Sequence, residues 1–146
     1  MSTLDQTIPF SPALSDGARR FLEAPHFAIV ATLNPDGGPL QAVIWYRLEG
    51  DAIVFNSRRG RHWPTNLERC RRVSIIVADG YDYVEMRGDV EIDDDPVRGL
   101  EVITALTHRY EKEEAAAAAQ IAGFSKEPRI TFTLRPTRVF ERLSGD

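Results

Sequence analysis

From Leu40 to Leu48 the chain alternates without interruption. Leu40, Ala42, Ile44, Tyr46 and Leu48 fall on one side, and Gln41, Val43, Trp45 and Arg47 on the other. A period of two over this length predicts a β-strand with one face in a core and a polar-aromatic face against something else. The run before it, His26–Leu33, is apolar and β-branched on both faces, and Asn34-Pro35-Asp36-Gly37-Gly38 between the two is rich in turn residues. An antiparallel hairpin follows. Glu49-Gly50-Asp51 marks a second tight turn, leading into a strand over Ile53–Asn56 whose signal begins at Ala52. Val73–Ala78 is a further strand, and Asp79-Gly80 turns the chain into the long strand Tyr81–Ile92. In the long segment Tyr83, Glu85, Arg87 and Asp89 alternate against Val84, Met86 and Val90, and Gly88 predicts a bulge or the sharp bend of a barrel corner. Ile130–Leu134 and Val139–Leu143, broken at Arg135-Pro136-Thr137, complete the strands.

Other segments carry helical signals. Ser11–Glu23 places Leu14, Ala18, Phe21 and Leu22 on one face, with Pro12 suited to the first turn and Pro25 ending the helix. A short helix is predicted near Thr65–Arg69. Asp93-Asp94-Asp95-Pro96 is an N-terminal cap with its acids at the favourable end of the dipole, and the helix after it runs to about Lys112. Glu113–Ala122 is alanine-rich and reads as a further helical piece. Residues 1–10 lack periodicity and are predicted to be an arm on one domain spanning residues 1–146. Short strands joined by tight turns, with no alternation of strand and helix, indicate a mainly β fold: an antiparallel sheet or small barrel with flanking helices.

Length and composition narrow the function. A chain of 146 residues supports an ordinary core, and its net charge of −4 argues against a general nucleic-acid or membrane-surface binder. Cys70 stands alone, so no intrachain disulfide forms, and His26, His62 and His108 lack metal-ligand spacing. No stretch is long and apolar enough to span a bilayer and no secretory leader is evident, so a soluble cytoplasmic protein is expected. There is no Walker loop, dinucleotide fingerprint or nucleophile elbow, and the carboxylates read as caps and solvated faces. No side chain is identified as catalytic; such a protein would borrow a cofactor's chemistry.

Against the acidic average, six of the sixteen arginines fall between Arg58 and Arg72. The stretch Asn56-Ser57-Arg58-Arg59-Gly60-Arg61-His62-Trp63-Pro64-Thr65-Asn66-Leu67 takes a strand through a polar, glycine-containing turn into a helix. Such a junction offers backbone N–H groups and guanidinium forks to an anion. One reading is a solvated loop; the other is a phosphate clamp, since arginines at a helix start oppose its dipole unless an anion neutralises them. Ser57 and Asn66 can donate to a phosphate and are also ordinary turn and cap residues. The face bearing Val43 and Trp45 is either a dimer contact or the wall of a planar ligand. Tyr83 is a core or rim aromatic, or a ring that stacks on a ligand.

The runs "HFAIVATLNPDGGPLQAVIWY", "AIVFNS", "RGRHWPTNLERCRRVSIIVADGYDYVEMRGDVEI" and "ITFTLRPTRVFERL" together resemble the pyridoxamine 5′-phosphate oxidase-like split β-barrel flavoproteins, and within them the flavin/deazaflavin oxidoreductases, many of which use coenzyme F420. The resemblance implies a six- or seven-stranded FMN-binding split barrel working as a homodimer, with the cofactor at the interface. It implies that Ser57, Arg61 and Asn66 hold the cofactor phosphate, that Val43 and Trp45 line the ring, and that Tyr83 contacts it. Family members carry a lysine three residues before the loop asparagine, where this chain has Trp63. The phosphate is then met by Arg61 with His62, Arg58 or Arg59, or else Trp63 stacks on a ring. The expected activity is hydride transfer between reduced F420, alternatively FMN, and a small conjugated or unsaturated substrate, with Tyr83, His62 or water as proton donor. The alternative is a non-catalytic carrier of a flavin, deazaflavin or heme-type ligand.

Overall fold

The turn at Asn34–Gly38 sets the first hairpin: Gly37 takes a positive φ of 87°, and the Asn34 N–H donates to the Gly38 carbonyl at 2.8 Å. Around it the computed structural model, which describes residues 13–144, pairs β1 (Ala28–Leu33) with β2 (Pro39–Ile44) in antiparallel register. β3 (Arg47–Glu49) and β4 (Ala52–Arg58) follow, then β5 (Arg72–Asp79), β6 (Asp82–Asp93), β7 (Arg129–Leu134) and β8 (Arg138–Arg142). The strands lie in the order β2-β1-β5-β6-β7-β4-β3, with β8 also beside β6. Every pairing is antiparallel, and the sheet curls on itself into a split barrel with helices on its flanks.

The predicted strand Leu40–Leu48 proves to be two. It stops pairing with β1 after Ile44 and resumes against β4 at Arg47. Tyr46 sits at the break, fully buried, its hydroxyl donating to the Leu22 carbonyl at 2.8 Å. Its backbone N–H, deprived of a ladder partner, donates to the Tyr110 hydroxyl at 3.3 Å, and that hydroxyl donates to the His26 carbonyl at 2.6 Å. The alternation survives the break because Ile44 and Tyr46 both still face the core.

The helices are α1 (Asp16–Glu23), α2 (His62–Arg69), α3 (Pro96–Tyr110) and α4 (Glu114–Phe124). α1 begins later than its pattern predicts because Ser15 caps it, accepting from the Ala18 N–H at 3.0 Å; Ser11, Pro12 and the expected arm at 1–10 lie outside the described residues. α2 begins three residues earlier than expected, at His62 after Arg61, because Pro64 then falls in the first turn, where its missing N–H costs nothing. α3 is capped by Asp95, which accepts from Val97 N–H at 3.0 Å.

Gly88 marks a corner, although β6 itself runs through it unbroken. On one side of β6 the neighbour changes from β8 to β7, and the intervening Arg135-Pro136-Thr137 bulges past Gly88. A Cβ at Gly88 would stand 3.1 Å from Leu134 Cδ1 and 3.4 Å from the Arg135 carbonyl. The extra residues are therefore on the partner strand, and the glycine makes room for them.

Two apolar layers share β4 and β7. Inside the barrel Phe55 and Phe132 stack at 5.5 Å, among Leu22, Tyr46, Leu67, Ile75 and Met86. Outside it Val54 packs with Val102, Ile103 and Leu106 of α3, with Trp45, Tyr110 and Phe124 against them. Helix α3 approaches β7 so closely that a Cβ on Gly99 would lie 2.6 Å from the Arg129 carbonyl. Gly99→Ala should therefore force α3 outward and lower stability by about 1–3 kcal/mol in chemical denaturation; an unchanged midpoint would show that the helix can yield.

Candidate functional site

The site forms where β4 and β7 end together. Their register places Arg58 directly opposite Arg129, Ser57 opposite Ile130 and Asn56 opposite Thr131. Side chains directly opposed across an antiparallel pair share a face, and like charges there repel. Arg58 is relieved by Glu127 at 3.1 Å, and Arg59 by Glu68 at 3.3 Å. Arg61 and Arg129 have no carboxylate partner within ion-pair distance among the described residues.

Arg129 is held from two sides. One guanidinium nitrogen donates to Asn56 Oδ1 at 3.2 Å, and the guanidinium lies 4.9 Å from the Phe124 ring centre. Asn56 is itself fixed by donating to the Gly99 carbonyl at 2.9 Å. The Nε of Arg129 is buried with no hydrogen-bond partner. Burial, with the charges of Arg61 and Arg58 nearby, pushes the Arg129 pKa down to about 10, opposed by Glu127.

Beside these cations is an aromatic ladder. Trp45 stacks on Tyr110 at 5.2 Å, Tyr110 stacks on Phe27 at 5.6 Å, and Phe124 meets Trp45 edge-on at 6.2 Å. Phe124 thus touches both the Arg129 cation and the Trp45 ring. Between them opens a cavity of about 180 Å³ bordered by Val43, Trp45, Ser57, Arg61, Trp63 and Arg129, with Asn56 and Phe124 also on its wall. Val43, at its mouth, is 68% exposed.

Five of the nine residues expected at the site, Val43, Trp45, Ser57, Arg61 and Trp63, thus border one cavity. The other four lie elsewhere. Arg58 lines the adjacent depression with Arg59 and Glu127. His62 is exposed on α2. Asn66 is buried and occupied: its amide donates to Thr32 Oγ1 at 3.1 Å and Asn34 Oδ1 at 3.0 Å, and its oxygen accepts from Arg69 at 3.1 Å. That amide braces the β1–β2 turn. Tyr83 is on β6, stacked on Phe140 at 5.9 Å. Trp63, although it borders the cavity, has its ring in the barrel core, 5.6 Å from Phe55 and 5.4 Å from Phe132. It is 8% exposed, so most of its surface is spent on packing.

Asn56, Phe124 and Arg129 are the site residues that sequence reasoning missed. Arg129 carries no local signal, being one arginine ahead of a predicted strand; only strand register brings it to Arg58.

The profile of the pyridoxamine 5′-phosphate oxidase family matches residues 14–142. The chain belongs to that family. Solved structures share the fold at low identity. Conserved hypothetical protein Rv2991 from Mycobacterium tuberculosis superposes with a TM-score of 0.70 at 20% identity, over 92% of this chain and 93% of that one. An F420 reductase gives 0.62 at 24%, over 86% and 98%. HupZ of Group A Streptococcus gives 0.64 at 20%, over 90% and 97%. No curated protein sequence matches.

The residues present fit one end of a cofactor of the kind this family takes. Arg61 and Arg129 border the cavity, and the buried Nε of Arg129 could donate to an anion there. The cavity, at about 180 Å³, falls short of the roughly 300–1,000 Å³ of pockets that enclose a whole ligand. Trp63→Lys would bury an ammonium against Phe55 and Phe132. We expect it to cost at least about 3 kcal/mol in urea unfolding, from lost ring packing and charge desolvation. A neutral effect would mean that a lysine can reach the cavity instead.

Proposed function

We propose that this protein is a cofactor-dependent oxidoreductase that works as a homodimer, holding reduced F420 or FMN by its ribityl phosphate. The observation that carries the reading is the convergence of Arg61 and Arg129, neither of them ion-paired among the described residues, on a small cavity walled by Trp45. Ser57 and Arg61 bind the phosphate from the strand end and the start of α2. Trp45 and Val43 orient the planar ring. Both cofactors carry a ribityl phosphate; the further anionic tail of F420 suits the remaining arginines, Arg58 and Arg59, at the neighbouring depression. Bound there, the cofactor supplies hydride transfer to a small conjugated or unsaturated substrate.

A second copy of the chain supplies what the cavity lacks. The outer face of the first hairpin is apolar: Ile29 lies across from Val43, Ile76 is Ile29's partner on the other side, and Phe27 is 60% exposed. Covering this face with another subunit would bury these side chains and roof the mouth at Val43. The family resemblance supports the same reading.

A carrier function is the second reading, and one observation favours it. Among the described residues the cavity wall carries Ser57, Asn56 and two arginines as its polar groups, a set suited to holding a ligand. His62 and Tyr83 are outside it. Fluorescence titration with FMN and with F420, then turnover of a quinone or enone, separates the two readings. Tight binding with turnover is expected; tight binding without it identifies a carrier, and no binding of either cofactor rejects both. Arg61→Ala should weaken binding by about 1.5–3 kcal/mol, the worth of a hydrogen bond to a charged group. An unchanged dissociation constant would return this arginine to the solvated loop.

A further inference from the structure

We propose that Arg129, from the start of β7, is the inner cation of the phosphate subsite, delivered to it by Asn56 and Phe124. The inference rests on the cofactor reading above and names the residue that discriminates phosphorylated from phosphate-free ligand. Position 63 cannot supply that cation, because the Trp63 ring is packed into the core.

The geometry is that of a donor kept ready. An arginine that serves structure has most of its N–H groups taken up by the protein, as Arg109 does in donating to the Leu22, Glu23 and Ala24 carbonyls although its Nε is also without a partner. Among the described residues Arg129 has a single side-chain hydrogen bond, to Asn56, and its Nε is buried without one. Burial of a polar N–H without a partner is costly, and so is a cation opposed to Arg58 across the strands with Arg61 close by. The protein tolerates both on the wall of a cavity lined also by Ser57 and Arg61. A phosphate monoester carries up to two negative charges and several acceptor oxygens. It would satisfy the free N–H and cancel the repulsion in one step.

The supporting residues hold the fork without competing for it. Asn56 presents its oxygen to Arg129 because its nitrogen is committed to the Gly99 carbonyl, leaving the opposite side of the guanidinium to the ligand. Phe124 covers one face of the cation. Because Phe124 also meets Trp45, the phosphate end and the ring wall are in physical contact through one side chain.

The test compares Arg129→Gln with the natural protein on two ligand pairs: FMN with riboflavin, and F420 with its phosphate-free deazaflavin core. Thermal unfolding with inorganic phosphate is the independent readout. Arg129→Gln should bind the phosphorylated ligand roughly 10- to 100-fold more weakly, the worth of a charge-assisted hydrogen bond. It should bind the phosphate-free ligand within about twofold of the natural protein. The rise in Tm on adding phosphate should disappear. Unchanged binding of the phosphorylated ligand overturns the proposal, and equal losses on both members of a pair overturn it too, showing that Arg129 only props the ring wall through Phe124. If Arg129→Gln does not fold, Arg129→Met, which keeps the length and removes the charge, takes its place, with a loss confined to the phosphorylated ligand expected and unchanged affinity overturning. Should the natural protein bind neither cofactor yet show a phosphate-induced rise in Tm that needs Arg129, the anion site stands and the cofactor reading falls. Absence of both binding and that rise rejects the two together.

Discussion

The antiparallel pairing of β4 with β7 is the contact on which the rest of the molecule depends. Every residue of β4 from Ala52 to Ser57 is buried, because one face looks into the barrel and the other supports α3. Phe55 and Phe132 meet on the inside, and Val54 meets Ile103 and Leu106 on the outside. A register slip of one residue would exchange those faces, placing Asn56 in the barrel core and Phe55 under the helix. The same register sets Arg58 against Arg129. The electrostatic tension at the site is thus a consequence of how the core is packed, and cannot be relaxed by sliding the strands.

That tension is resolved unequally. Glu127 and Glu68 serve the arginines on the outer side, Arg58 and Arg59, where water screens much of the interaction and each pair contributes little to stability. Arg61, which is exposed, and Arg129, which is half-buried, have no such partner among the described residues. A half-buried cation with an N–H left unpaired costs the fold some stability at that point. The aromatic ladder from Phe27 through Tyr110 to Trp45 and Phe124 supplies the rigid side of the cavity. Tyr110 also repairs the strand break at Tyr46, so the residue that closes the barrel seam holds the ring wall.

Much of the architecture was legible in the order of residues. Turn chemistry at Asn34–Gly38 and Glu49–Asp51, the alternation through Tyr46 and the aspartate cap of α3 are local signals, and the structure places each element within a few residues of them. Where the boundaries moved, a nonlocal contact moved them: the Tyr46 hydroxyl reaching α1 split one strand in two, and the crossing of Arg135–Thr137 turned an expected bulge at Gly88 into room for its neighbour's. The candidate site was half legible. The arginine loop and the Val43–Trp45 face are contiguous patterns, and both reach the cavity. Asn66, conspicuous in the loop, spends its amide on the β1–β2 turn.

By itself, then, the sequence determined the elements, the family and the presence of an excess of cations after the fourth strand, because each is written in neighbouring residues. Only the tertiary structure decided which cations are compensated and which are not. Arg58 and Arg129 are far apart along the chain and meet through strand register, and the acids that quench Arg58 and Arg59 come from the β7 approach and from α2. Trp63 shows the same division. In the sequence it stands in a loop rich in cations; as a packed ring it belongs to the core, since burying its large apolar surface outweighs anything it could offer an anion.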